Sequence, residues 1–342
     1  MRIADRVGPG RREFPGRLGG MTDDPMRIAI LGAGGVGGYF GGELARAGQR
    51  VTLLARGAHL AALRERGLSV RTPEGSFTVR VEATDDPMAL GEADLAIVAV
   101  KTYSVPEVVG TARLLAAAGA TILPLLNGVE AAGWLAAGGV SPERILGGLA
   151  SLSVARIGPG AVERRSPFRR ITVGELGGGL SERAERIGSV FRQAGADVAV
   201  SSDIEADLWR KLAFIASMAA ACGLARSSVG PVREAPYGRL LFSRAVDEAL
   251  SVARARGVAV ADDDGTKTLA FIDSLGEGLR PSFLLDLEAG GPNELDDLCG
   301  AVSRLGREAG VPTPIHDTAT AALSAAGRRG PQEAPAERAR RS

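Results

Sequence analysis

The sequence predicts an α/β protein in which a parallel-sheet domain is followed by an all-helical one, and three observations carry that prediction. The apolar run Ile28-Ala29-Ile30-Leu31 leads straight into Gly32-x-Gly34-x-x-Gly37. Further apolar runs, Val51–Ala55, Asp94–Val100 and Thr121–Leu126, each stop at a polar residue, as strands buried on both faces of a parallel sheet do. After Ser201-Ser202-Asp203 the pattern turns to long helical periods with few strand signals.

The first run reads as a strand, and the glycines as the turn that cradles a dinucleotide pyrophosphate at the start of a Rossmann-type βαβ unit. Gly32 permits the tight turn, Gly34 lets backbone approach a phosphate, and Gly37 lets the next helix lie close on the strand. With Ala33, Gly35 and Val36 they form a loop whose helix-opening amides face the anion. That helix is expected to run to Ala47 and stop at Gly48. Arg56 closes the second strand about 20 positions beyond the glycines, where an acid would bind the ribose hydroxyls of NAD and an arginine suits a 2′-phosphate. NADP is therefore favoured over NAD, the alternative being that Arg56 is an ordinary solvated loop arginine.

Leu68 to Val81 alternates around Pro73-Glu74-Gly75 and reads as a hairpin. The third and fourth buried strands end at Lys101 and at Asn127-Gly128. Ligands of open α/β sheets lie beyond the carboxyl ends of the strands, so Arg56, Lys101 and Asn127 are expected to share one crevice with the glycine turn. Arg144–Ala150, Ile171–Glu175 and Asp197–Ser201 read as strands that extend the sheet, with a helix from Ser181 to Ala194 between the last two.

In the helical half, Asp203 is a good N-cap for a helix reaching about Leu224. Its apolar positions Ile204, Leu208, Ile215, Met218 and Cys222 form one seam in which Lys211 fills the gap. Burial lowers a lysine's pKa toward neutrality, which suits proton chemistry; spacing alone leaves equally open that Lys211 snorkels to solvent. Pro281-Ser282 opens another helix and Asn293-Glu294-Leu295-Asp296 a third; as bare sequence, Ser282 reads as a cap and Glu294 as a first-turn acid.

The balance of 41 Lys plus Arg against 40 Asp plus Glu in 342 residues gives no basic surface for nucleic acid. Cys222 and Cys299 are far apart and sit in no metal-ligating pattern, so neither a metal site nor a disulfide framework is expected and a reducing cytoplasm fits. The run from Leu114 to Leu126, broken by Gly119 and Pro124, is too short to span a membrane. Residues 1–25, with Arg11-Arg12-Glu13-Phe14 but no apolar stretch after it, read as a disordered extension or a start assigned upstream of Met21 or Met26. Residues 326–342 read as a disordered tail.

Several of these pieces fall in one order. Gly32–Gly41, Val51–Gly57, Val100-Lys101, Leu126–Glu130, Trp209-Arg210-Lys211-Leu212, and Asp286–Gly290 followed by Asn293–Asp296 together resemble the ketopantoate reductase (2-dehydropantoate 2-reductase) family from Met26 to about Leu323. The resemblance implies an NADP-binding Rossmann domain at 26–202 and a helical substrate and dimerisation domain at 203–325, with NADPH and a 2-keto acid in the cleft between them. It implies reduction of 2-dehydropantoate to pantoate, in pantothenate biosynthesis. Lys211 resembles the family's general acid, and Glu294 the acid that orients substrate and lysine. Asn127 resembles the amide touching both cofactor and substrate, Ser282 a substrate-binding hydroxyl, and Arg56 and Lys101 the phosphate and ribose contacts. Where the family carries substrate-binding asparagines four and eight residues after its lysine, this chain has Ile215 and Ala219, which implies a bulkier or less polar keto acid as the alternative substrate. The same fold without the chemistry would make an NADPH-binding regulator, which has no use for Lys211 and Glu294.

Overall fold

The computed structural model describes residues 24–327. The expectations for the N-terminal extension up to residue 23 and for the tail beyond residue 327 lie outside them. In chain order the first half runs β1 (Arg27–Leu31), α1 (Gly35–Arg46), β2 (Arg50–Leu54), α2 (Gly57–Arg66), β3 (Leu68–Thr72), β4 (Gly75–Val79), β5 (Glu82–Thr84), β6 (Leu95–Val98), α3 (Val105–Ala117), β7 (Thr121–Pro124) and α4 (Ala131–Ala137). It continues through β8 (Gly147–Ser151), β9 (Val154–Gly158), β10 (Ala161–Arg164), β11 (Arg170–Gly174), α5 (Glu182–Gln193) and β12 (Asp197–Ser201). Helices follow: α6 (Ile204–Ala225), α7 (Val229–Glu234), α8 (Gly238–Ala255), α9 (Asp264–Ser274), α10 (Ser282–Glu288), α11 (Cys299–Glu308) and α12 (Pro314–Gly327).

Five parallel strands in the order β5-β2-β1-β6-β7 form the main sheet. The near-continuous Ile, Leu, Val and Ala content of the central strands β1, β6 and β7 follows from burial on both faces, under α1 and α5 on one side and α3 and α4 on the other. The strand order reverses beside β1, whose neighbours are β2 and β6, and this places a crevice at its carboxyl end.

The strands expected to lengthen this sheet form a sheet of their own, β12-β11-β8, in which β8 is antiparallel to β11. A bridge between Ile122 of β7 and Ile145, just before β8, ties it to the parallel sheet. The β3–β4 hairpin forms as predicted, but it belongs to a third sheet, β4-β3-β10-β9, that the sequence did not reveal. β9 and β10 carry Arg156, Gly158, Glu163 and Arg164 on short, half-exposed strands, so their hydrophobic alternation is weak.

This third sheet explains a glycine-rich helix. A Cβ on Gly37 would stand 2.0 Å from the Gly32 carbonyl oxygen, and one on Gly41 3.0 Å from Leu53, both toward the parallel sheet. On the opposite side a Cβ on Gly38 would meet Val162 at 2.7 Å and one on Gly42 would meet Val70 at 2.7 Å. α1 is thus pressed between two sheets, with glycine wherever a sheet comes close.

The helical half packs around α6, chiefly against α8 and α12, with Leu212, Ala216, Ala219 and Cys222 wholly buried. Among the described residues α6 is long and apolar enough to cross a membrane, and that apolarity is accounted for by its burial in this core. Cys222 and Cys299 are both free and buried there, and burial pushes each thiol up to about 12, so neither is a ready thiolate. Glu248 of α8 caps α12, accepting the Ile315 and His316 amides at 2.8 and 3.1 Å. α12 runs through Gly327, two residues into the segment read as tail.

The third predicted helix is displaced. Asn293 accepts from Leu295 N–H at 3.1 Å, and Leu298 N–H reaches back to Glu294 O at 3.0 Å, making a separate turn before α11 begins at Cys299. The asparagine's bond to backbone two residues on favours such a turn over a helix start, and Glu294 stands on it.

Candidate active site

The turn Gly32–Gly37 crosses the carboxyl end of β1 and lines a cleft of about 1970 Å³. Gly32 has φ +106°, a conformation that favours glycine, and a Cβ there would strike Val100 at 2.6 Å. A Cβ on Gly34 meets nothing within 4 Å and would project into the cleft. The first intrahelical bond of α1 is Gly38 N–H to Gly34 O at 2.9 Å, which leaves the amides of Gly35, Val36 and Gly37 for an outside acceptor. Open approach at Gly34 and free amides at a helix N-terminus fit a pyrophosphate. The two glycines predict different failures. Gly34→Ala should keep its melting temperature while NADPH affinity falls, whereas Gly37→Ala should lose both, by more than about 1–3 kcal/mol in stability. Thermal unfolding beside a cofactor titration separates the two.

Arg56, Lys101, Asn127, Lys211, Ser282 and Glu294 all line the same cleft, so residues far apart in sequence meet where the two halves face each other. Their contacts are specific. Glu294 is 4% exposed, and its Oε2 accepts from Lys101 Nζ at 3.0 Å and from Asn127 Nδ2 at 3.2 Å. Lys101 Nζ also donates to Asp286 Oδ2 at 2.8 Å. Loss of solvent pulls the Lys101 ammonium down, but Glu294 and then Asp286 outweigh it and hold its pKa above the usual lysine value. The resemblance sends Lys101 to the cofactor; here its amine reaches across to the helical half. Arg56 stands at the cleft rim, its Nη1 2.9 Å from Glu107 Oε2.

Lys211 lies in the third turn of Asp203-capped α6, and Nζ donates to the Ala150 carbonyl of β8 at 2.9 Å. Burial lowers its pKa to about 8, with the charge of Glu294 working the other way. Arg210 beside it is tied off by Asp207 and Asp264, each at 2.8 Å. The seam read from sequence divides: Ile204 and Cys222 are wholly buried, whereas Asp207, Lys211 and Ile215, four apart, line the cleft with Phe214 and Met218. Ile215 thus stands beside the lysine, whereas Ala219 is 0% exposed in the helical core.

Three participants were given no role in the sequence reading. Asp286 lies one turn after Ser282 on α10, a spacing that could have flagged it. The Ala150 carbonyl carries no side-chain signal at all. Phe271 of α9 packs edge-on against Phe214 at 5.1 Å between centroids, facing the lysine's side of the cleft. The halves are also pinned at the Asn127 turn, where Arg304 forks Glu130 at 2.8 and 2.6 Å and Thr102 donates to Asp297.

A dinucleotide turn, an arginine after β2, and a half-buried lysine facing them across the cleft define an NADPH-dependent oxidoreductase acting on CH–OH groups. More narrowly, the chain belongs to the ketopantoate reductase family: residues 28–178 match the family described as ketopantoate reductase PanE/ApbA, and residues 203–327 match its C-terminal part. It is 32% identical over 296 residues to the 2-dehydropantoate 2-reductase of Halobacterium salinarum, covering 85% of this chain and 95% of that one. With the uncharacterised oxidoreductase YkpB of Bacillus subtilis it shares 30% over 298 residues, 87% and 98% of the two chains. The crystal structure of 2-dehydropantoate 2-reductase from Geobacter metallireducens superposes with a TM-score of 0.82, at 32% identity, over 88% of this chain and 100% of that one.

Proposed function

We propose that the protein reduces a 2-keto acid to the 2-hydroxy acid, with 2-dehydropantoate as the first substrate to test and pantoate as its product, a step of pantothenate biosynthesis. The observation that carries this reading is Lys211, a lysine brought near neutrality by burial and set across the cleft from the glycine turn. NADPH, when bound, supplies the hydride. Lys211 holds the proton that the carbonyl oxygen must receive as negative charge develops there, so C=O gains hydride at carbon and a proton at oxygen. Glu294 keeps that proton on the lysine between turnovers, and Asn127, whose amide is oriented by Glu294, reaches the same opening. The Ser282 hydroxyl, at the first position of α10, binds the substrate's polar end. The free, buried thiols support the reading of a reducing, cytoplasmic setting.

A second reading rests on the wall beside the lysine. Phe214, Ile215, Met218, Phe271 and Leu279 offer apolar surface where a polar substrate would want amides, which favours a keto acid with a larger apolar side chain. NADPH consumption across 2-dehydropantoate and 2-keto acids of increasing apolar bulk tests both. A kcat/KM highest on 2-dehydropantoate supports the first reading and one highest on a bulky member the second; turnover of none would refute the enzyme reading and leave a cofactor-binding regulator.

A further inference from the structure

Arg56 has a partner that changes what it can do. It follows β2, while Glu107 stands in the first turn of α3, which follows β6. β2 and β6 are the two neighbours of β1, so the two side chains reach toward each other across the carboxyl end of the strand that leads into the glycine turn. They meet at 2.9 Å, both lining the cleft and both well exposed, with 66% and 55% of their side-chain surface open. An acid and an arginine here are the two groups that respectively suit a ribose 2′-hydroxyl and a 2′-phosphate.

We propose that Glu107 sets the cofactor selectivity of this protein by occupying Arg56. NADPH takes the guanidinium only by displacing the carboxylate, one anion exchanged for another, while the 2′-hydroxyl of NADH donates to Glu107 and leaves the ion pair in place. The preference for NADPH is then smaller than Arg56 alone would give. The inference rests on the assignment of Arg56 to the cofactor's ribose end. An acid in a helix's first turn is also favoured by the helix dipole, and that role alone would leave cofactor binding unchanged.

Dissociation constants for NADPH and NADH, read from cofactor fluorescence on wild type, Glu107→Gln, Arg56→Ala and the double variant, decide the matter. Exposed ion pairs are worth little, so Glu107→Gln should tighten NADPH by only about two- to fivefold and weaken NADH by a similar or smaller factor. The gain on NADPH should shrink in high salt and vanish when Arg56 is already alanine. Unchanged NADPH affinity in Glu107→Gln assigns the acid to its helix and overturns the proposal. An equal gain in the Arg56→Ala background means simple repulsion of the phosphate and overturns the exchange. Should Arg56→Ala leave the NADPH to NADH ratio untouched, the assignment of Arg56 falls and the proposal with it, whereas a tenfold or greater fall in NADPH affinity alone upholds that assignment.

Discussion

Lys211→Ala is expected to lower kcat by about 10²–10⁴, the usual contribution of a positioned acid, with the protein still folded. The side chain leaves a cleft wall rather than a packed core, so circular dichroism and melting temperature should change little. The pH profile gives the sharper test. The amine must be protonated to serve keto-acid reduction, and burial brings its pKa down to about 8. The rate of reduction should therefore be flat below that pH and fall about tenfold per unit above it, provided the proton step limits turnover. Oxidation of the hydroxy acid needs the neutral amine and should rise through the same interval. In Lys211→Ala both limbs should disappear; a variant that keeps wild-type turnover would make the lysine an ordinary snorkelling residue.

Glu294→Gln should act on the same limb from a distance. The carboxylate attracts the Lys211 proton and thereby opposes the effect of burial. Once it is neutral, only desolvation remains, so the alkaline limb of reduction should move below about pH 8. A fall in kcat/KM of one to two orders of magnitude is expected with it, since less acid is present at neutral pH and the Asn127 amide and Lys101 lose a charged anchor. Removing one partner of a buried pair costs roughly 3–5 kcal/mol when the other is stranded. Lys101 is not stranded, because Asp286 holds its amine at 2.8 Å and both are partly open to solvent, so the loss of stability should be well below that range. Paired pH profiles and thermal melts measure both effects. A limb that stays at its wild-type pH would show that Glu294 and Lys211 do not communicate.

How much of this was legible depended on the kind of contact. Strand ends could be read because buried parallel strands leave continuous apolar runs, and Gly32, Arg56, Lys101 and Asn127 came with them. Lys211 stood out because a charge interrupts a seam, of which only the middle, from Lys211 to Met218, lines the cleft; periodicity tells that one face is apolar, not what it faces. Glu294 was found through its neighbours' resemblance and placed on the wrong element, since Asn293 can cap a helix or close a turn equally well. The Lys101–Asp286 contact spans 185 positions, and no local pattern encodes it. The Ala150 carbonyl could not have been read, because every residue has one. β9 and β10 stayed hidden for a related reason, being short and half-solvated, with no unbroken hydrophobic signature.

The compression of α1 between two sheets bears on transplanting the motif. Gly37, Gly38, Gly41 and Gly42 each weaken an isolated helix by about 0.5–1 kcal/mol relative to alanine, so this segment is a poor helix on its own account. The helix is hemmed in by surfaces that lie outside the cleft, β10 against Gly38 and β3 against Gly42. Grafted onto a nucleotide-binding scaffold with a single sheet, the same residues would keep their spelling and lose their geometry. The portable unit is the loop together with both of its walls.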